Sequence, residues 1–416
     1  SSLLLTFGRL SDTKGRKPLY IMGFTIFVAG SWLCGLSLTP RMLIVSRAFQ
    51  GCGASMLMAC SPALIVDAFP VQERGKALGM IGAVVAAGLT TGPVVGGMIL
   101  EYLSWQYIFY INIPIGIAAA FGGMVILKGE YAARGSGEPM DKTGSILLIL
   151  ILSSLIVFMT QLSKWGAISI LSLSVAGICI LASIGFVINE AKSDYPLFDL
   201  ELLKMKLFIF PVMASGILFA ALFVIIFMLP FYLTYPCGFS PAKTGSIMIV
   251  PFLFLLFVSP ISGVLYDRFG SRRLCMMGMT MLSVSLMSLM SLQPSMGSLS
   301  ILWRIALAGI GTALYVSPNN TAIMSCVPLS RRGIASGAVA TARNVGMVIG
   351  VALAGLIFST SFSGLTNGTT LENYAAVMEP FFMISFKRTM MMGAALSFFG
   401  IFVTFARGKE NSTKNR

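Results

Sequence analysis

Long apolar runs separated by short polar segments make up most of the chain. Twelve of these runs have about 20 residues or more, the length that an α-helix needs to cross the hydrocarbon core of a bilayer. They occupy residues 18–37, 42–68, 77–101, 106–127, 143–162, 167–189, 209–233, 244–265, 274–292, 299–324, 336–360 and 385–406. A shorter apolar run at 1–10 predicts part of one more helix. The pattern therefore predicts an all-α protein that crosses a membrane many times.

The composition agrees with this prediction. Hydrophobic residues make up 56% of the 416 residues and charged residues 11%, whereas soluble domains carry roughly 25% charged residues. The formal net charge is +14, but most of the 29 lysines and arginines lie in short loops on one side of the predicted helices. Because basic loops stay on the cytoplasmic side of a membrane, topology explains the charge, and we expect no nucleic-acid partner.

One polar loop near the start of the chain predicts a tight turn. Residues 8–19 read GRLSDTKGRKPL, in which Asp12 lies among four bases and between Gly8 and Gly15. Glycine suits tight turns and close backbone approach because it has no Cβ atom. The loop therefore predicts a basic hairpin on the cytoplasmic side, between two membrane helices.

The hairpin returns later in the chain. Residues 263–274 read GVLYDRFGSRRL and keep the glycine and acid positions, with Asp267 255 residues after the acid of the first copy. Ser271 stands where the first copy has Arg16. We expect the second copy to form a weaker charge network than the first.

Two more similarities follow the same order. Residues 74–97 and 332–355 align without gaps at an offset of 258, and Arg47, followed by two glycines, recurs more loosely as Arg304. Three similarities at nearly one offset indicate a parallel duplication. The fifth and sixth apolar runs fall between the two copies and have no counterpart.

The duplication predicts two six-helix bundles with two extra central helices. We expect an N-terminal bundle at 1–127, the extra helices with cytoplasmic linkers at 128–208, a C-terminal bundle at 209–406 and a cytoplasmic tail at 407–416. Within the second linker, 190–208 fits an amphipathic helix on the membrane surface and an ordinary polar loop equally well. We expect an intact protein of fourteen helices, of which this chain lacks the first and contains part of the second.

Several kinds of chemistry are disfavoured by the residues present. The sequence has no histidine, and its seven cysteines have no metal-ligand spacing. Of the 15 acids, Asp67 and Glu101 fall in predicted helices, each near a helix end. We therefore expect no metal ion, no cofactor and no catalytic residues, and an enzyme is disfavoured.

Two further motifs carry a family resemblance. Residues 88–97 read GLTTGPVVGG and residues 104–116 read SWQYIFYINIPIG. With the basic hairpin and the duplication, these motifs make the chain resemble the major facilitator superfamily over its whole length. The motifs and the extra central helices are similar to those of the fourteen-helix drug:proton antiporters. The resemblance implies a multidrug efflux transporter.

The resemblance also implies roles for charged residues. Arg47 matches an arginine tied to proton coupling; the alternative is a structural arginine that bonds helix-end carbonyls. The implied conformational switch network consists of Gly8, Asp12, Gly15, Arg16, Asp67 and Asp267. This network would hold one conformation and break when the halves rock, and the alternative is a static topology signal.

The GLTTGPVVGG motif has its own implied role. Its residues of interest are Gly88, Gly92, Pro93, Gly96 and Gly97. Gly88, Gly92 and Gly96 recur every four residues, so they share a helix face that would let a partner helix approach closely. Proline in the helix favours a bend. The resemblance implies a pivot or seal between the halves; the alternative is ordinary helix packing.

Polar residues inside apolar runs are candidates for a substrate cavity. They are Gln50, Asn112, Tyr315, Asn319, Asn320 and Arg343. A proton antiporter also needs a carboxylate that binds protons, and no acid lies in the middle of an apolar run. We expect this carboxylate in the absent first helix, or coupling through another site.

The sequence thus favours a secondary transporter that exports small amphipathic or cationic compounds in exchange for protons. We expect a multi-pass, monomeric protein of the bacterial cytoplasmic membrane, with small molecules, protons and membrane lipid as its partners. An importer or facilitator of one metabolite on the same fold is the first alternative. A membrane receptor without transport activity and an inactive fragment are the others.

Overall fold

The computed structural model describes residues 3, 6–8, 10–11, 15–68, 74–127, 141–165, 169–192, 204–294, 296–327, 332–369 and 371–408. The regular structure of these residues is helical throughout, without strands. The α-helices are α1 (Arg16–Gly35), α2 (Pro40–Ala68), α3 (Arg74–Tyr102), α4 (Tyr107–Tyr110), α5 (Asn112–Ile126), α6 (Lys142–Trp165), α7 (Ile170–Lys192), α8 (Lys206–Thr234), α9 (Pro241–Met248), α10 (Val250–Leu289), α11 (Ser298–Cys326), α12 (Arg332–Leu365) and α13 (Glu379–Ala406). Two short 3₁₀ helices, Leu371–Asn373 and Ala376–Met378, precede α13.

All twelve predicted apolar runs coincide with helices. Nine helical segments among the described residues are long and apolar enough to cross a membrane. The three other predicted runs are also helical and correspond to α3, α6 and the second part of α10. The all-α polytopic membrane fold predicted from the apolar pattern is therefore confirmed.

The two copies of the hairpin share one backbone feature. Gly15 has a φ of 96°, and Gly270, its counterpart in the repeat, has a φ of 72°. Both values lie in the left-handed region, which favours glycine. Gly15 directly precedes α1, and Gly270 divides α10 into helical segments at 250–269 and 271–289.

Close helix pairs repeat in the same way. A Cβ atom added to Gly53 of α2 would lie 2.7 Å from the carbonyl oxygen of Gly23 in α1. A Cβ atom added to Gly311 of α11 would lie 2.6 Å from the carbonyl oxygen of Gly278 in α10. These separations allow glycine alone, because backbones in such contact leave no room for a side chain. The two helical segments that follow the hairpin in each half therefore pack through equivalent glycines, as a parallel duplication predicts.

Among the described residues, the largest apolar core lies in the C-terminal half. One face of α8 is buried along its length and packs against α10, α11, α12 and α13. The core includes the buried side chains of Leu218, Val224, Tyr232, Leu286 and Phe386. This core fixes the positions of the helices that carry Arg304, Tyr315, Asn319 and Arg343.

The two extra helices, α6 and α7, pack against each other, and α6 also contacts α12. An apolar crevice of about 270 Å³ separates α6 from α12 and is lined by Leu152, Met159, Val345, Val348 and Ala352, among others. Of the segment at 190–208, the ends belong to α7 and α8. Residues 193–203 lie outside the described part of the chain, so the surface helix stays a prediction, as do the boundaries of the bundles.

Candidate functional site

Arg47 takes part in a hydrogen-bonded chain that joins α2 to α1. Its Nη1 donates to Oε1 of Gln50, one turn later, at 2.5 Å. Nε2 of Gln50 donates to Oγ of Ser31 in α1 at 2.7 Å. The guanidinium carbon lies 5.6 Å from the ring centroid of Phe109. Within the described residues no carboxylate pairs with Arg47, so neutral groups hold this arginine.

The packing of α1 on α2 explains why Gln50 is so well placed. A Cβ atom added to Gly30 would lie 2.6 Å from Cα of Gln50, so the two helices touch at this point. Gln50 is 2% exposed, and Sγ of Cys34 lies 3.9 Å from its Oε1. The glutamine is therefore locked between the helices with its amide oxygen facing Arg47.

Arg304, the counterpart of Arg47, has a different environment. Its Nε donates to the carbonyl oxygen of Ser288 at 2.9 Å, and its Nη2 donates to Oγ of Ser291 at 3.1 Å. Its Nη1 donates to the carbonyl and the hydroxyl of Ser300. Arg304 is 7% exposed and is thus a structural arginine of α11 that binds groups at the end of α10. Bonding to helix-end carbonyls, the alternative interpretation of Arg47, is thus seen at Arg304, and the role of Arg47 itself stays a prediction.

The GLTTGPVVGG helix, α3, contacts the second half of the chain. A Cβ atom added to Gly97 would collide with the carbonyl oxygen of Pro241, and one added to Gly245 would collide with the carbonyl oxygen of Pro93. The backbones of α3 and α9 therefore touch at two places, one helical turn apart on each helix. Pro93 and Gly97 form the contacting face of the motif.

The close-packing face predicted from Gly88, Gly92 and Gly96 is not the one that the structure uses. A Cβ atom added to any of the three would meet no described atom within 4 Å. Gly92 and Gly96 come one residue before Pro93 and Gly97, and Gly88 lies one turn before Gly92. All three are therefore rotated by about 100° around the helix axis from the contacting face. The prediction found the right helix and the wrong face.

The predicted conformational network is described in part. Gly8 lies in a helical segment, Gly15 has the turn conformation given above, and Arg16 begins α1. Asp12 lies outside the described residues. Asp67 and Asp267 belong to α2 and α10, but their side chains are likewise outside the described part. The network therefore stays a prediction.

A base of the hairpin that sequence reasoning missed has a clear role. Nζ of Lys17 donates to the carbonyl oxygen of Met124 at 3.0 Å and to that of Leu127. These carbonyls lie at the C-terminal end of α5, where they have no partner within the helix. A cation also suits the negative end of a helix dipole. Lys17 thus fastens α5 to α1.

Tyr315 and Asn319 do not face open space, contrary to the cavity prediction. Each is 1% exposed. The hydroxyl of Tyr315 donates to the carbonyl oxygen of Pro211 at 3.4 Å, and Nδ2 of Asn319 donates to the same oxygen at 3.2 Å. One helical turn separates the two residues, so both reach the same carbonyl. They join α11 to α8 in this conformation.

The other cavity candidates are more accessible. Asn320 is exposed, and Asn112 is half-buried, with its Nδ2 donating to the carbonyl oxygen of Ile108 at 3.2 Å. Arg343 is half-buried in α12, and its guanidinium carbon lies 5.6 Å from the ring centroid of Phe219 in α8. Its Nε is buried and has no acceptor among the described residues. Of the cavity candidates, Gln50 is bonded to Arg47, whereas Asn112 and Arg343 have other neighbours, Ile108 and Phe219.

Arg407 is a buried arginine that sequence reasoning placed in the tail. It is 1% exposed. Its Nη2 donates to Oγ of Ser271, and its Nη1 lies 3.6 Å from Sγ of Cys275. The signal was present in the repeat, because Ser271 occupies the place that Arg16 has in the first copy. The second hairpin copy has no arginine at position 271, and Arg407, at the end of α13, supplies a guanidinium to that position.

A duplicated, many-helix membrane fold is typical of transporters, many of which are built from internal repeats. The sequence profile of the Major Facilitator Superfamily matches residues 2–351 and 211–412. The chain therefore belongs to the Major Facilitator Superfamily. It is a membrane transporter and not an enzyme.

Relatives with curated names include transporters of different compounds. The riboflavin transporter RibZ of Clostridioides difficile is 31% identical over 97% of this chain and 86% of its own length. The multidrug resistance protein Stp of Mycobacterium tuberculosis is 30% identical over 91% of this chain and 69% of its own length. Family membership thus leaves the substrate open between these two kinds.

Solved structures agree with the fold. A crystal structure of the peptide transporter POT with alafosfalin has a TM-score of 0.68 at 14% identity and covers 98% of this chain and 84% of that chain. An auto-inhibited POT family peptide transporter has a TM-score of 0.67 at 17% identity, and the match covers 100% of this chain and 88% of that chain. At such identities the likeness shows the fold alone.

Proposed function

We propose that the protein is a drug:proton antiporter of the fourteen-helix group. It exports small amphipathic or cationic compounds across the bacterial cytoplasmic membrane, as a monomer surrounded by lipid. Its two halves rock against each other, so that the substrate site opens to one side of the membrane at a time. Relatives that include multidrug resistance proteins support this proposal.

The contact between α3 and α9 is the observation that carries the proposal. α3 begins at Arg74, in a basic region, so its first end is cytoplasmic by the positive-inside rule. Its last turns, with Gly97, therefore lie on the outer side, where they meet α9 of the second half. A transporter that alternates must close one side by contact between its halves. The GLTTGPVVGG motif of the antiporters lies at this closure.

Arg47 is proposed to couple transport to protons. A charged side chain inside the membrane costs at least about 2.5–3.5 kcal/mol on insertion scales, and this arginine is held in place by Gln50. A guanidinium beside a proton-binding group favours the deprotonated form of that group. Arg47 would thus assist proton release, with Gln50 keeping the guanidinium in position.

Substrate contact is proposed for the accessible polar residues of the membrane helices. Arg343 has donor capacity that the described residues leave unused, and Asn112 and Asn320 are not buried. Tyr315 and Asn319 reach substrate in this proposal after the contact of α11 with α8 at Pro211 opens. The charged network of Asp12, Arg16, Asp67 and Asp267 is proposed to hold the cytoplasmic ends during the cycle.

The experiment uses inverted membrane vesicles from cells that express the protein. A proton gradient is imposed, and accumulation of a fluorescent cationic dye is followed with and without an uncoupler. Accumulation that collapses with the uncoupler and falls in Arg47→Ala supports the proposal. Arg41→Ala is the matched control, because Arg41 is an exposed base near the start of the same helix. Equal accumulation in Arg47→Ala and wild type would remove the coupling role of Arg47.

A second candidate function is the transport of one specific metabolite. The similarity to a riboflavin transporter, at 31% identity over nearly the whole chain, favours it. Uptake of labelled riboflavin by whole cells tests this candidate beside the dye assay. Saturable riboflavin uptake without any dye export would replace the drug export proposal, whereas dye export that riboflavin does not compete with would reject the second candidate.

A further inference from the structure

The N-terminal turn of α9 has an unusual set of acceptors. Its first residue, Pro241, has no N–H group. The N–H of Lys243 donates to Oγ of Ser240 at 3.3 Å, and the N–H of Thr244 donates to the carbonyl oxygen of Ser240 at 2.9 Å. Ser240 thus serves two of the three N–H groups in this turn. The N–H of Ala242 remains.

The partner of Ala242 comes from the other half of the chain. Its N–H donates to Oε2 of Glu101 in the last turn of α3, at 2.8 Å. N–H groups in the first turn of a helix have no partner inside that helix, and a negative charge is favourable near them because of the helix dipole. Glu101 therefore completes the cap that Ser240 begins.

Two backbone contacts surround this hydrogen bond. Gly97 lies against the carbonyl oxygen of Pro241, and Gly245 lies against that of Pro93. The three contacts join the same two helices, one from each half, at their outer ends. The hydrogen bond forms only while these ends are together, because α3 and α9 belong to bodies that separate when a transporter opens outward.

We propose that Glu101 is a latch between the halves of the transporter. Its carboxylate holds the outer ends of α3 and α9 together by capping α9, and so favours the state that is closed to the outside. Glu101 is a positioning residue for the transport cycle and does not touch substrate. The inference rests on the rocking of the two halves proposed above. It needs neither the identity of the substrate nor proton coupling, so it can fail or succeed independently of drug export and of the coupling role of Arg47.

Distance measurements between spin labels on the two halves test the latch. Leu103→Cys, just after α3, and Leu299→Cys, at the start of α11, place labels at exposed outer positions in a chain whose native cysteines are replaced. The outward-open state gives the longer distance between the labels. In Glu101→Ala the ratio of the outward-open to the closed population is expected to rise roughly two- to fivefold, which corresponds to the free energy of a surface charge at a helix terminus.

Ser240→Ala is the matched control. It removes the other side-chain cap of the same helix turn, but that cap lies within one half. The distance distribution of Ser240→Ala is expected to match that of the labelled parent. An equal opening in Ser240→Ala and Glu101→Ala would mean that α9 frays, and the latch would be rejected.

Glu101→Gln keeps an acceptor oxygen and removes the charge, so its open population is expected to lie between those of the parent and Glu101→Ala. This variant also carries the test if Glu101→Ala does not fold. An unchanged distance distribution in both Glu101 variants would overturn the proposal.

Discussion

Arg47 donates a hydrogen bond to Oε1 of Gln50 across one turn of α2, and the amide nitrogen of the same glutamine donates to Ser31 of α1. The amide thus has a fixed orientation, since its nitrogen and its oxygen each have a partner. An arginine inside a membrane helix needs an acceptor, because leaving its charge without one costs several kcal/mol. Gln50 provides that acceptor and carries no charge of its own, so it fixes the position of the guanidinium without forming an ion pair.

Gln50→Ala should therefore impair proton-driven transport. The variant removes the acceptor of Arg47, and hydrogen bonds to charged groups contribute about 1.5–3 kcal/mol, so we expect the initial transport rate to fall at least about tenfold. The measurement is dye accumulation in inverted vesicles under a fixed proton gradient. Ser37→Ala is the control, because that hydroxyl bonds the carbonyl of Leu33 in its own segment. A Gln50→Ala rate within twofold of wild type would contradict the positioning role.

Arg304 should matter for stability rather than coupling. Arg304→Ala removes the hydrogen bonds that the guanidinium donates to Ser288, Ser291 and Ser300, and a hydrogen bond to a charged group contributes about 1.5–3 kcal/mol. We expect a clear fall in the thermal unfolding temperature of the detergent-purified protein. Arg47→Ala, in the matching position of the repeat, should change that temperature less, since Arg47 is more exposed than Arg304 and donates to Gln50 alone among the described residues. The reverse order would contradict the division of roles between the two arginines.

The glycine contacts of the repeated helix pairs predict a matched set of variants. A Cβ atom at Gly53 would lie 2.5 Å from the backbone nitrogen of Phe27, so Gly53→Ala must push α1 and α2 apart, at about 1–3 kcal/mol. Gly311→Ala should behave alike. Gly88→Ala is the control, because its Cβ atom meets no described atom within 4 Å. The yield of monodisperse protein after solubilisation measures the effect, and equal yields for all three would contradict it.

The helices and their repeat were predictable from the sequence because both depend on local signals. Apolar runs of membrane length mark the spans, and the two glycines, Gly15 and Gly270, mark a backbone conformation that other residues rarely adopt. Arg47 was predictable as a special residue, since a charge in an apolar run must have a reason. These features need no knowledge of which helix lies beside which.

The partners of the site residues were not predictable, because they depend on rotations of neighbouring helices. A shift of one residue along α3 turns the contacting face by about 100°, so the sequence indicated the face of Gly92 and Gly96, whereas the structure uses the face of Pro93 and Gly97. Polarity alone indicated Tyr315 and Asn319 as cavity residues, yet both donate to the carbonyl of Pro211 within the core. Contacts between distant segments of this kind leave no periodic signal.

Cys237 offers a pH-dependent prediction outside the membrane spans. Burial is the main cause that raises the pKa of its thiol, and the charge of Glu379 raises it further, while a hydrogen bond with Tyr232 and the charge of Lys243 lower it. The thiolate is the reactive form, so maleimide should label this cysteine slowly at neutral pH. Its labelling rate should continue to increase at pH values where an exposed thiol has reached its maximum rate.

Two variants with opposite signs test this account in a chain that retains Cys237 as its single cysteine. Glu379→Gln removes a negative charge, lowers the pKa of the thiol and should speed labelling at neutral pH. Lys243→Gln removes a positive charge, raises that pKa and should slow it. Rates that move in the same direction in both variants would show that accessibility, and not charge, controls the thiol.

The contact between Arg407 and Ser271 predicts that the second hairpin copy needs one arginine, which can stand at position 407 or at position 271. Arg407 reaches from the end of α13 into the second hairpin copy, where Ser271 replaces the arginine of the first copy. Arg407→Ser removes a buried charged donor, and we expect a loss of stability of about 2 kcal/mol together with reduced transport. Ser271→Arg alone places two guanidinium groups side by side, and like charges at short distance repel, so it should be at least as harmful.

The double variant Ser271→Arg with Arg407→Ser returns the arginine to the position that Arg16 has in the first hairpin. If the second hairpin needs one guanidinium there, whichever segment supplies it, the double variant should recover most of the stability and transport that each single variant loses. Interaction between neighbouring sites of this kind appears as strong non-additivity in a double-mutant cycle. Thermal unfolding and vesicle transport of the four proteins measure it. Additive losses in the double variant would mean that Arg407 serves α13 itself, and that the hairpin copy does not depend on it.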